Sequence, residues 1–240
     1  MIFNLIARSA RPFAPVALGA ALMAFASGAA AGPVVYDGVT FPQGDISFAD
    51  EVVSFTLGGG GVTEQHQNPN NALGPPDYNN VPNCEPSVSN PAGNCTFVSL
   101  GSGGELVLRF TNNALTGSGD DSPDLWIFEV GPLVEPTLVD VSKNGSDWFN
   151  VGSVEGATAG IDLDAFGFGP SDLFFFVRLT DICTGSACTG RTAGADIDAV
   201  GAISTVAVSV PAPGTLPLLA LALGLLGAMR TRGKVDRSAR

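Results

Sequence analysis

The chain has 240 residues and a formal net charge of −12, and it is rich in glycine and proline, with 31 and 17 of them. Of its 23 acidic residues, all but Asp236 fall between residues 32 and 210, where the only basic ones are Arg109, Lys143, Arg178 and Arg191. Such a segment repels phosphates and anionic lipid, which excludes nucleic acid as a partner. Its carboxylates either attract hard divalent cations or keep an exported chain soluble.

Arg8 and Arg11 precede an apolar run at 16–26, and small residues follow at 27–31. This is the order of a secretory signal, with Ala29-Ala30-Ala31 as the small-residue cleavage pattern and the cut expected between Ala31 and Gly32. The run is shorter than the ~20 apolar residues a spanning helix needs. Residues 1–31 are therefore expected to be a signal peptide. Residues 32–209, about 180 in number, suffice for one core.

Along that body, no long 3.6-period pattern occurs, and short period-two runs are divided by turn residues, which favours an all-β domain. Residues 34–55 form a mixed opening segment. The tetrad at 58–61 is followed by neither Lys nor Ser/Thr at phosphate-loop spacing and reads as a turn. Residues 68–94, rich in Asn and Pro, form a long loop of the kind that often carries function, and within it Asp77 and Tyr78 are the candidate ligand contacts. Strands are expected at 96–100, 105–110, 125–130, 137–142, 148–151, 173–179 and 196–203. The Asn144-Gly145 turn joins two of them as a hairpin. The run at 173–179 looks buried on both faces apart from Arg178. Residues 206–210 could extend a later hydrophobic segment.

Cys84 and Cys95, and Cys183 and Cys188, form two local pairs. In an exported chain an even number of cysteines implies disulfides, and local pairing is the simplest of three connectivities. No histidine is near either pair in sequence, which argues against zinc. The bridges are expected to staple loops outside the core.

The acids that alternate with apolar residues are the candidate chemistry. Asp120, Asp121 and Asp124 occupy a Gly/Ser loop before a strand, Glu129 lies within that strand, and Asp196 and Asp198 share one face of the last strand by period two. Together they offer oxygen ligands for calcium, at no EF-hand spacing. Glu129 must otherwise pair with an Arg, Arg109 or Arg178 being the candidates, or be hydrogen-bonded. Asp162 and Asp164 read as the solvent face of a short strand or turn. His66, the only histidine, sits in a polar stretch and reads as a solvated loop residue. With no nucleophile elbow and no free thiol expected, no catalytic residue is assigned.

At the other end, the order Val210-Pro211-Ala212-Pro213-Gly214, then an uncharged stretch at 215–229, then Arg230, Arg232, Lys234, Arg237 and Arg240, resembles a PEP-CTERM sorting signal. Ala212 stands where that family usually has Glu. The resemblance implies that residues 210–240 comprise a recognition motif, a membrane helix and a basic cytoplasmic tail. It also implies an exosortase-type enzyme as partner, and a place at the cell surface or in an extracellular polysaccharide matrix.

Five short words occur in order through the body: Ala72-Leu73-Gly74-Pro75-Pro76-Asp77, Ser99-Leu100-Gly101-Ser102-Gly103-Gly104, Asp124-Leu125-Trp126-Ile127-Phe128-Glu129, Val141-Ser142-Lys143-Asn144-Gly145 and Asp196-Ile197-Asp198-Ala199-Val200. They resemble bacterial discoidin-like, galactose-binding-like modules, and the resemblance implies a jelly-roll β-sandwich. The expected function is that of a non-enzymatic exported surface or matrix protein, stabilised by calcium if a cofactor is used. A glycan-specific carbohydrate-binding module and a carboxylate-based glycan hydrolase are the competing readings.

Overall fold

Short period-two strands present one apolar face to a core, and here they bury it against one another as two antiparallel sheets. The computed structural model describes residues 32–78, 84, 93–131, 134–185 and 188–208. The signal segment up to Ala31, the sorting motif Val210, Pro211, Ala212 and Pro213, and the segments after it lie outside these residues. Among the described residues, no helix is long and apolar enough to cross a membrane.

One sheet has five strands in the order β3 (Glu51–Thr56), β5 (Glu105–Arg109), β11 (Phe176–Asp181), β8 (Thr137–Ser142) and β9 (Trp148–Val154). The other has four, in the order β10 (Thr158–Ile161), β7 (Leu125–Glu129), β12 (Asp196–Ala202) and β4 (Val98–Ser99). Two-stranded ribbons join β1 (Val34–Tyr36) to β2 (Val39–Phe41), and β6 (Asn113–Leu115) to β13 (Thr205–Ala207). The chain is thus an all-β protein with the layers of a sandwich.

Leu106, Leu108, Val139, Val141, Val177 and Leu179 of the five-stranded sheet meet Leu125, Ile127, Ile161, Ile197, Val200 and Ala202 of the four-stranded one in a single core. Each such burial of a Val, Leu or Ile contributes about 1.5–3 kcal/mol. The outer face of the four-stranded sheet is covered as well. The β1–β2 ribbon lays Val39 and Phe41, together with Phe48, over Phe128 and Ala199, with Phe41 and Phe48 at a ring separation of 4.6 Å. The outer face of the five-stranded sheet stays open, and there Arg178 lies 4.5 Å above the Trp148 ring and donates to Asp140 Oδ2.

That open face corrects the reading of residues 173–179. The strand begins at Phe176 and alternates, with Val177 and Leu179 buried and Phe176, Arg178 and Thr180 half-buried. Residues 205–207 pair with β6 and so lie with the 32–209 body, not with the hydrophobic segment that 206–210 could have extended. The 142–148 hairpin forms as expected, with Asn144 Oδ1 accepting from the amides of Ser146 and Asp147 at 2.9 Å each.

Both local disulfides form, Cys84–Cys95 and Cys183–Cys188, at Cα separations of 4.8 and 5.8 Å. Two such bridges suit an extracellular or otherwise oxidising environment. They are not wholly peripheral, however. Cys84 and Cys188 are buried, and the first bridge packs with Phe97 and Val130 as a small core of its own.

Candidate functional site

Strand β7 carries an acid at each end, Asp124 just before it and Glu129 as its last residue. Its antiparallel neighbours decide what meets each. Ile197 of β12 pairs with Glu129, whereas Ile161 of β10 and Ala202 of β12 pair with Leu125. The carboxylates read from sequence as one metal group therefore divide. Glu129, Asp196 and Asp198 gather at one end of the four-stranded sheet, while Asp120, Asp121 and Asp124 lie at the other.

At the Glu129 end, a β-bulge sets the geometry. Ile197 pairs with Glu129 and Ala199 with Phe128, so Asp198 is the extra residue. Ile197 and Val200, three apart, both enter the core, and the bulge absorbs the mismatch. Asp198 thus leaves the plain alternation with Asp196 that period two implied. Its two carboxylate oxygens accept from the amides of Asp77 at 3.5 Å and Tyr78 at 3.3 Å, which ties the Asn/Pro loop to β12. Asp196 accepts from the Ser99 hydroxyl, and Glu129 accepts from the Glu135 amide at 2.9 Å. Asp181, buried beside them, accepts from the amides of Gly103 and Ala195 at 3.0 Å each.

No arginine reaches Glu129 among the described residues. Arg109 pairs with Glu51, and Arg178 pairs with Asp140 and Glu105, all on the five-stranded sheet. Burial without a cation shifts these acids strongly. It pushes Glu129 up to about 9, with the Glu135 carboxyl adding to the rise. Burial likewise raises Asp196 to about 8, aided by Glu135 and Asp181, and Asp198 to about 7. Glu135, which sequence reasoning did not single out, is raised too, first by burial. At neutral pH, Glu129 and Asp196 hold protons and can donate as well as accept.

Beside this cluster opens a cleft of about 310 Å³ lined by Tyr36, Asp37, Pro76, Tyr78, Glu129 and Asp198, among others. Tyr36 enters from the covering ribbon and Tyr78 from the Asn/Pro loop, where its ring lies edge-on to Phe97 at 5.9 Å. Asp77, between Pro76 and Tyr78 of that lining, is exposed. Of the two residues chosen from sequence as ligand contacts, Tyr78 lines the cleft with Glu129 and Asp198 and Asp77 adjoins it, while the contribution of Asp37 had no sequence signal.

At the opposite end, Asp124 is wholly buried, Asp121 is exposed, and Asp120 is exposed with its Oδ1 accepting from the Ser122 amide at 2.8 Å. The residues that join Asp124 are Asp162 and Asp164. They are half-buried in a turn after β10 instead of forming a solvent face. The Asp-x-Asp spacing following a strand was the available signal.

His66 is also placed differently from expectation. It is buried, with Nδ1 2.8 Å from the Thr63 hydroxyl and its ring 5.4 Å from that of Phe97. Folding brings it to Cys84 and Cys95, but sulfurs joined in a disulfide are not thiolates and do not ligate zinc.

No protein-family model and no curated protein matches the chain. Among solved structures, the C-terminal domain of a chitobiase from Bacteroides fragilis is similar over 69% of this chain and 97% of its own, at 13% identity and a TM-score of 0.34. At that level neither fold nor function transfers.

Proposed function

We propose that the chain is an exported, non-enzymatic surface or matrix protein whose jelly-roll sandwich holds a neutral glycan between Tyr36 and Tyr78. The cleft carries this reading. Its two tyrosines offer flat apolar faces with polar tips, as sugar rings require. Between them Glu129, which holds its proton at neutral pH, and Asp198, raised to about 7, supply donors and acceptors for hydroxyl groups. The acidic surface disfavours anionic polysaccharide, so the ligand is a neutral one.

Support for the jelly roll lies in the strand order. With β4 as the first of eight, the chain alternates between sheets except at the β8–β9 hairpin, and the sheets read 1-8-3-6 and 2-7-4-5, with β3 added at the edge. Support for export lies in the two disulfides and the signal-like first 31 residues. The PEP-CTERM-like end supports sorting by an exosortase-type enzyme, with the C-terminal helix in the membrane before or after processing.

An array of neutral and acidic glycans probed with the purified chain tests the reading. Binding confined to neutral glycans and weakened at least tenfold in Tyr78→Ala and Tyr36→Ala is expected. A chain that binds no glycan leaves a purely structural matrix role. Release of reducing ends from a polysaccharide, abolished in Asp198→Asn, would replace the reading with the glycan hydrolase.

A further inference from the structure

Asp124, Asp162 and Asp164 each place one carboxylate oxygen within 4.8 Å of the others. Each is held in place through hydrogen bonds of its own. Asp162 Oδ1 accepts from the amides of Asp164 and Ala165 at 2.9 and 3.4 Å. Asp164 Oδ2 accepts from the Gly119 amide at 2.9 Å and the Ser118 hydroxyl at 3.3 Å. Asp124 Oδ2 accepts from the Leu163 amide at 2.8 Å. The other oxygen of Asp124 is different. Oδ1 is buried, in a residue with no exposed surface, and no donor meets it in good hydrogen-bond geometry, although the Ser204 and Ser118 hydroxyls stand beside the carboxyl.

A buried carboxylate oxygen left without a partner is costly, and a native fold rarely keeps one without a reason. No cation of the protein answers it among the described ion pairs, where Arg109, Lys143 and Arg178 are engaged with other acids. The loop 117–120 is also pressed onto the cluster. A Cβ on Gly117 would stand 2.2 Å from the Phe168 carbonyl oxygen and 2.8 Å from Asp164 Oδ2. The Phe168 carbonyl and the Asp164 carboxyl thus close on Gly117 from two sides.

We propose that Asp124, Asp162 and Asp164 form a calcium site at the end of the sandwich away from the cleft. The donor set is carboxylate oxygen throughout, which selects a hard cation over zinc or copper. Oxygens within 4.8 Å of one another fit around an ion bonded at about 2.3–2.6 Å, the range of calcium. Water completes the six to eight ligands calcium takes. The site is independent of the glycan reading and ties the 117–120 loop to the β10 turn and the start of β7.

Calorimetric titration of calcium chloride into the chelator-treated chain tests this, with unfolding followed by circular dichroism. One equivalent of calcium is expected to bind with Kd of about 10⁻³ M or tighter, as in extracellular modules, and to raise Tm. Asp162→Asn and Asp164→Asn should weaken binding at least tenfold while keeping the native spectrum, and Asp198→Asn should bind as the unaltered chain does. Asp124 is wholly buried and its Asn variant risks misfolding, so the half-buried pair carries the test. No binding at millimolar calcium, or undiminished binding by both half-buried variants, overturns the site. Loss in Asp198→Asn alone would move it to the cleft.

Discussion

Glu129 Oε1 accepts a 2.9 Å hydrogen bond from the backbone amide of Glu135, so two acidic side chains share one buried corner. Burial holds the Glu129 proton to about pH 9, whereas the unfolded chain releases it near the ordinary 4.5. The folded state therefore binds more protons through that window, and stability falls as pH rises. Asp196 and Asp198, raised to about 8 and about 7, act in the same direction from 3.8 upward. In chelator, Tm should fall between about pH 5 and about pH 8, each retained proton contributing at most about 1.4 kcal/mol per pH unit. Glu129→Gln, which keeps the acceptor, should flatten the slope above neutrality. A Tm that rises over this range would mean that the acids are ionised in the fold.

A methyl group on Gly201 would stand 2.6 Å from Phe41 Cε1 and 2.7 Å from Phe48 Cε1. Those rings are wedged against each other and against Phe128, so neither can swing away cheaply. Gly201→Ala should cost about 1–3 kcal/mol by overpacking. Urea unfolding would show a lower midpoint at unchanged slope, and Phe41→Leu in the same chain should restore part of the loss.

Arg178 places Nε and Nη2 at 3.1 and 3.0 Å from Asp140 Oδ2, and stacks its guanidinium over Trp148. A lysine keeps the charge but neither the planar fork nor the stack. Arg178→Lys should cost about 1 kcal/mol, because the pair is partly exposed and screened. The check is a double-mutant cycle with Trp148→Leu, whose cost should shrink once Lys stands at 178, so that the cycle returns a non-zero coupling energy.

The Cys84–Cys95 bridge closes a loop of 11 residues' separation and packs with Phe97, with Tyr78 against it. Closing a loop of this size stabilises by about 3 kcal/mol in the chain-entropy account. Cys84→Ala with Cys95→Ala should lower Tm accordingly and loosen the Tyr78 side of the cleft, read as faster hydrogen exchange at the Tyr78 amide. Unchanged exchange there would show that Asp198 alone holds the loop.

The sequence carried the long strands well. Residues 137–142 form a strand as expected, and β5, β7 and β12 fall within a residue of their predicted bounds, because alternation over five or more residues is hard to mistake. The strands missed are β6, β10 and β13, three or four residues long, with too few positions to display a period; β1, β2 and β3 were left undivided in one opening segment, and β9 runs three residues past its expected end. Of the site, Glu129, Asp196, Asp198, Asp77 and Tyr78 were legible as residue types, but their company was not. A bulge at Asp198 breaks the periodicity on which face assignments rest, and the meeting of Asp124 with Asp162 depends on β7 and β10 being neighbours across a sheet. His66 misled because a polar sequence neighbourhood says nothing of the Phe97 ring that covers it.

Strand β7 is also a spacer. Five residue steps separate Asp124 from Glu129, about 17 Å of rigid extended chain. At that distance, with no hydrogen-bond partner shared between them, the energetic effects of substitutions at the two ends should sum. A single short strand thereby lets one sandwich keep a cation-hungry end and a proton-holding end as separate instruments, each free to change while the other stays as it is.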